Sequence, residues 1–163
     1  MYDPSSCIRG VEAVTAALPE NAALKALDEL ATDAKFDRAE LTITIAAENI
    51  VAAAQALKQA GYNFFEDVTA VDWYPSEPRF QISYSILSHN LKERLRLTVR
   101  LDSEAAKLDS IVDVWPAANF YEREIFDLFG VEFNGHPNLT RIMMPEDWVG
   151  HPLRKDYPVE GYR

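Results

Sequence analysis

The sequence predicts an α+β domain: two layers, with a mixed sheet of four to five strands covered by helices, followed by an extended irregular arm. Three observations carry this. Apolar residues alternate along stretches between residues 40 and 101, as they do in strands with one buried face. Apolar residues recur at helical spacing before, between and after those stretches. Finally, residues 131–163 contain Pro137, Pro145, Pro152 and Pro158, which exclude a continuous helix. That last stretch is still rich in Phe133, Leu139, Ile142, Met143, Met144, Trp148, Val149, Leu153, Tyr157, Val159 and Tyr162, too apolar for a disordered tail. An irregular apolar segment of this length needs a surface to lie on.

The elements follow in order. Val11 to Leu18 is alanine-rich and reads as a helix ended by Pro19. Asn21 to Leu30 continues helically, with Ala23, Leu24, Leu27 and Leu30 on one face. A short strand near Ala34–Phe36 turns through Asp37-Arg38 into Glu40–Ala46, where Leu41, Ile43 and Ile45 alternate with Thr42 and Thr44. Glu48 to Ala60 is a helix carrying Ile50, Ala53, Ala54 and Leu57, with Gly61 as its cap. Phe64 to Trp73 and Arg79 to Ser88 are strands joined by the turn Tyr74-Pro75-Ser76-Glu77-Pro78. His89-Asn90 forms a hairpin tip, and Glu93 to Leu101 follows, with leucines and Val99 on one face and Arg94, Arg96, Thr98 and Arg100 on the other.

The final helix runs from Pro116 to Phe129, and Asn119 with Glu122 has capping-box spacing. Ala118, Tyr121, Ile125, Leu128 and Phe129 form its apolar stripe, and Arg123 and Asp127 are spaced to pair on the far side. Phe120 and Phe126 fall off the stripe, which points either to a partner surface or to the arm folding back over one of them. Gly130 stops the helix. The domain is thus residues 1–130, and the arm 131–163.

Composition excludes several functions. Net charge is -10, unsuited to nucleic acid or to a polybasic hold on anionic lipid. No apolar run approaches the roughly 18 residues of a membrane span, and the opening MYDPSSCIRG does not read as a secretory signal. Cys7 is the only cysteine, too few for an internal disulfide or the usual cysteine set of an iron–sulfur cluster. The glycines are too scattered for a phosphate loop or dinucleotide fingerprint. His136 and His151 each precede a proline; their spacing fits no common zinc arrangement, and imidazoles bonded to backbone are the simpler expectation. Glu122, Glu124 and Asp127 can be read as an acid–base cluster, but nothing in the sequence requires the cleft that such chemistry needs, and a solvated or partner-facing charge cluster is preferred. The arm mixes Arg141, Arg154, Lys155 and Arg163 with Glu146, Asp147, Asp156 and Glu160, a pattern able to fix register on a partner.

Several blocks match a known family: Glu122-Arg123-Glu124, Asp127-Leu128-Phe129-Gly130, Phe133, His136-Pro137, Arg141-Ile142, Pro145-Glu146-Asp147-Trp148, and Gly150-His151-Pro152-Leu153-Arg154-Lys155-Asp156-Tyr157-Pro158. Together they resemble the C subunits of proton-pumping NADH:quinone oxidoreductase, respiratory complex I. The likeness is continuous from Trp115-Pro116 onward, weaker through Asp67–Trp73 and the following hairpin, and slight over the first forty residues. One departure is Thr140, where the family usually has a basic residue. The resemblance implies a scaffold in the quinone module that holds no cofactor itself, with FMN and iron–sulfur clusters in other subunits. It implies an arm laid along the D subunit, near the B and I subunits, and a peripheral place on the cytoplasmic side of the membrane held through those neighbours. NADH and quinone would be met only through the complex. The alternatives are the equivalent subunit of a membrane-bound hydrogenase-type complex, and a free-standing hydrolase using Glu122 and Glu124.

Overall fold

The computed structural model describes residues 7–160; the expectations placed on Tyr162 and Arg163 lie outside the described residues. A six-stranded sheet carries the fold, in the spatial order β1-β2-β3-β6-β5-β4. Its strands are β1 (Ile8–Arg9), β2 (Ala31–Asp37), β3 (Glu40–Ile45), β4 (Phe64–Asp72), β5 (Phe80–Ser88) and β6 (Glu93–Leu101). β3 runs parallel to β6, while the other pairs are antiparallel, so the sheet is mixed. It has six strands instead of the expected four to five because β1 adds two residues to the edge through Ile8 opposite Phe36 and Arg9 opposite Lys35.

The helices are α1 (Val11–Ala17), α2 (Ala22–Ala26), α3 (Ile50–Gln59) and α4 (Ala118–Phe129). The sheet's apolar rows pack under them: Leu41, Ile43 and Ile45 from β3, Leu95, Leu97 and Val99 from β6, and Phe80, Ile82, Tyr84 and Ile86 from β5 are all buried. Ile50, Ala53, Ala54 and Leu57 are the buried residues of α3, the face its spacing predicts. By strand parity, the opposite sheet face carries Thr42, Thr44, Arg94, Arg96 and Arg100.

Three local expectations change. α2 ends at Ala26 instead of running to Leu30, because Ala31 is already paired with Ile45; the ladder to β3 recruits a segment whose own strand tendency is weak. The turn that closes this hairpin is Arg38-Ala39, both at positive φ, one position later than expected. The capping box at Asn119 does not form: the N-cap of α4 is Ala117, without a side-chain bond, and Glu122 is used elsewhere.

The division at Gly130 also moves. β8 (Glu132–Asn134) pairs in parallel with β7 (Lys107–Asp109), and Val131 and Phe133 are buried in the core. Sequence-local patterning carries no sign of this, because the partner strand is a three-residue segment on the other side of α4. The first residues of the supposed arm therefore complete the domain.

Candidate interaction site at the end of the last helix

α4 is buried on two sides. Its stripe of Ala118, Ile125 and Leu128 faces the core. Asp127 lies about half a turn away from that stripe, yet its exposure is 0%. What covers it is the arm. The Asp127 Oδ2 accepts three consecutive backbone N–H groups, from Ile142 at 3.0 Å, Met143 at 2.7 Å and Met144 at 2.8 Å. Its Oδ1 takes an Arg141 Nη1 bond at 2.5 Å. Burial works to raise the carboxyl's pKa, but the bonds from the Met144 and Met143 amides, Arg141 and the Ile142 amide outweigh it, and the pKa lies below the usual range.

The helix end is closed by the same segment. A helix leaves its last carbonyls without internal partners. Here His151 Nδ1 donates to the Asp127 carbonyl at 2.9 Å, the Leu153 amide to Leu128 at 3.1 Å, and Arg154 Nε to Phe129 at 2.5 Å. Arg154 also reaches the Gly130 carbonyl at 3.4 Å. Arg141 and Arg154 thereby set positive charge at the negative end of the helix dipole. Arg141 further gathers the arm by donating to the carbonyls of Trp148 and Gly150, both at 3.1 Å. Gly130 sits at φ 72°, and a Cβ there would lie 2.5 Å from the His151 ring and 2.6 Å from Arg154 Nη2, so both the conformation and the close approach require glycine.

A second carboxylate fixes the far end of the arm. Asp72, the last residue of β4, is buried with Arg79 against it: Nε to Oδ1 at 2.9 Å and Nη2 to Oδ2 at 2.8 Å. Arg79 then donates to both carboxylate oxygens of Asp156, at 3.0 and 2.7 Å, and the Lys155 amide donates to Asp72 at 2.8 Å. Burial alone would raise the Asp72 pKa, but Arg79 and the amides of Lys155 and Tyr74 hold it down at about 2. Neither Asp72 nor Arg79 stood out in the sequence. Their signal was parity: Val68, Ala70 and Asp72 share one side of a strand, so an acid falls in a buried row and needs a partner.

The other expected site residues separate. Glu122 is wholly buried, accepting bonds from Ser110 Oγ at 2.6 Å and the Ile111 amide at 2.9 Å. Burial pushes its pKa up to about 7 against those two bonds. Glu124 is exposed. The three acids are therefore neither a common cleft nor a solvated cluster, and Glu122 and Glu124 do not face one substrate. Arg123 does not pair with Asp127; it donates to the Thr140 carbonyl at 3.1 Å, to Thr140 Oγ1 at 3.0 Å and to the Arg141 carbonyl at 3.2 Å. A threonine at 140 thus accepts a bond that a basic side chain could not. His136 Nε2 contacts the Asn119 carbonyl at 3.2 Å, while its Nδ1 accepts the Asn138 amide at 3.1 Å. Both proline-flanked histidines therefore bond backbone. Phe126 and Phe129 pack partly buried against the core, Pro137 and Pro152 shape the turns, and Phe120 remains 63% exposed. Trp148 stays 41% exposed.

The described residues contain no cluster of three or more His, Cys, Asp or Glu side chains able to hold a metal ion. None of their helices is long and apolar enough to cross a membrane. The fold and this site define a class: an α+β protein whose terminal segment is tied to its own last helix and displays apolar side chains outward.

The chain belongs to the family described as respiratory-chain NADH dehydrogenase, 30 Kd subunit, whose model matches residues 43–163. It is 43% identical over 146 residues to the C subunit of NADH-quinone oxidoreductase from Citrifermentans bemidjiense, covering 86% of this chain and 91% of that one. The protein of the same name from Geobacter sulfurreducens is 47% identical over 131 residues, covering 79% of this chain and 81% of that one. Among solved structures, a trypsin-resistant fragment (1-134) of Nqo5 aligns with a TM-score of 0.58 at 31% identity, over 61% of this chain and 83% of the fragment. A chain of the membrane-bound sulfane sulfur reductase, an archaeal respiratory membrane complex, aligns with a TM-score of 0.67 at 26% identity, over 83% of this chain and 82% of that one.

Proposed function

We propose that this chain is the C subunit of a proton-translocating NADH:quinone oxidoreductase and serves there as a non-catalytic scaffold in the quinone module of the peripheral arm. The identity to proteins of that name, 43% across 91% of one relative, carries the reading. In it, electrons pass from NADH through FMN and iron–sulfur clusters held by other subunits to quinone, and this chain binds none of those groups. Its outward arm packs on the D subunit, with the B and I subunits nearby. Those neighbours hold it on the cytoplasmic side of the membrane.

The likeness to a chain of the sulfane sulfur reductase supports one second reading, the equivalent subunit of a related membrane-bound complex, including the hydrogenase type. Both readings make the same kind of scaffold and differ in the neighbours.

Affinity purification of the tagged full chain from its native membranes separates them. Recovery of the D, B and I subunits with NADH-oxidising activity is the expected result. Recovery of hydrogenase-type subunits moves the assignment to the second reading. Flavin, iron or zinc bound stoichiometrically to the isolated chain after dialysis overturns the scaffold role.

A further inference from the structure

Most charges of the arm divide by direction, although the side chains of Lys155 and Glu160 are exposed as well. Arg141 and Arg154, the guanidiniums expected to grip a partner, are turned inward onto Asp127 and the carbonyls of α4. Asp156 is committed to Arg79. Glu146 and Asp147 are exposed, and neither has an ion pair or side-chain hydrogen bond among the described residues. Beside them, Met143, Trp148, Val149 and Leu153 are also exposed. An exposed apolar group with an unpaired acidic edge is an interaction surface in search of the opposite charge.

The backbone beneath it is held. Asp127 binds the amides of residues 142–144, Arg141 closes the loop onto Trp148 and Gly150, and Asp72 holds Lys155. A surface ordered before encounter loses less conformational entropy on binding.

We infer that this acidic, apolar face docks a protein partner whose contact surface is an apolar groove rimmed by lysine or arginine. The inference rests on the scaffold reading above and specifies the partner's chemistry. Two other occupants fit poorly. A second copy would bring the same acids against Glu146 and Asp147, on a chain whose net charge is -10. An anionic lipid surface would repel them equally.

The test is a binding titration of the full chain against the neighbouring subunit recovered with it, at low and high salt. The double variant Glu146→Lys/Asp147→Lys is expected to bind at least tenfold more weakly at low salt, and Glu146→Gln/Asp147→Gln by a smaller factor, while both free proteins melt as the unaltered chain does. Binding of the unaltered chain should weaken as salt rises. If the lysine variant binds equally well or more tightly, the basic rim is wrong and the scaffold reading stands. If the unaltered chain binds no neighbour at all, the scaffold reading fails and takes the inference with it.

Discussion

Glu122 and Asp127 are both wholly buried on α4, yet their environments push them in opposite directions. Asp127 has three amides and a guanidinium to hold its charge. Glu122 has a hydroxyl and one amide, and burial lifts its pKa from 4.5 to about 7. Folding therefore favours the protonated Glu122, and its contribution declines as pH rises from about 4.5 to about 7. Glu122→Gln lacks that dependence. The stability of the variant relative to the native chain should increase by up to about 3 kcal/mol across the window. Denaturant melts at pH 5 and pH 8 measure it, and parallel behaviour of the two proteins would refute the buried acid. Trp148 is the other residue with a sharp expectation. At 41% exposure the chain itself covers part of it, so Trp148→Ala should lower the melting temperature only moderately but weaken partner binding roughly 30-fold. A variant that binds normally and melts far lower would place the indole in the chain's own core. Glu122 was legible in hindsight, since it falls between Ala118 and Ile125 on the apolar stripe. Asp127 was not, because helical spacing puts it on the far side and says nothing about what lies over that side.

Elements with strong internal patterning are legible in the sequence. β6 runs over Glu93–Leu101 as its alternation predicts, and α3 buries the four apolar residues its spacing selects. β1 and β2 were poorly legible because pairing creates them: two residues make β1, and Ala31–Asp37 has no clean alternation without β3 beside it. The end of α4 was half legible. Gly130 marks the stop in the sequence, and the structure adds that it also makes room for His151 and Arg154. Gly130→Ala should cost roughly 2 kcal/mol or more, from the left-handed backbone and from displacing those two side chains. Beyond a lower melting temperature, limited trypsin digestion should cut the arm earlier in the variant. Unchanged digestion would mean that the helix end does not organise the arm.

For the whole molecule, the α+β class and the mixed sheet were legible, while the relation of arm to domain was not, since an irregular segment reveals neither what covers it nor what it covers. Because Val131 and Phe133 are buried, a chain cut after Gly130 should be destabilised by about 3 kcal/mol or more, or fail to fold. A chain cut after Asn138 keeps β8 and should retain a cooperative melt; Asp127 is then open to water and tolerates the loss of its partners. Equal melting of the two truncations would restore the boundary at Gly130. The bond between Asp72 and the Lys155 amide spans 83 positions of sequence. Synthesis proceeds from the N-terminus, so Asp72 is made long before the group that completes its coordination, and the carbonyls of α4 wait for Leu153 and Arg154 in the same way. The arm cannot take its final shape until the residues up to Lys155 have been made. A polypeptide cut between Asn138 and Leu153 can fold its sheet and still leave the last carbonyls of α4 without the Leu153 amide and Asp72 without the Lys155 amide.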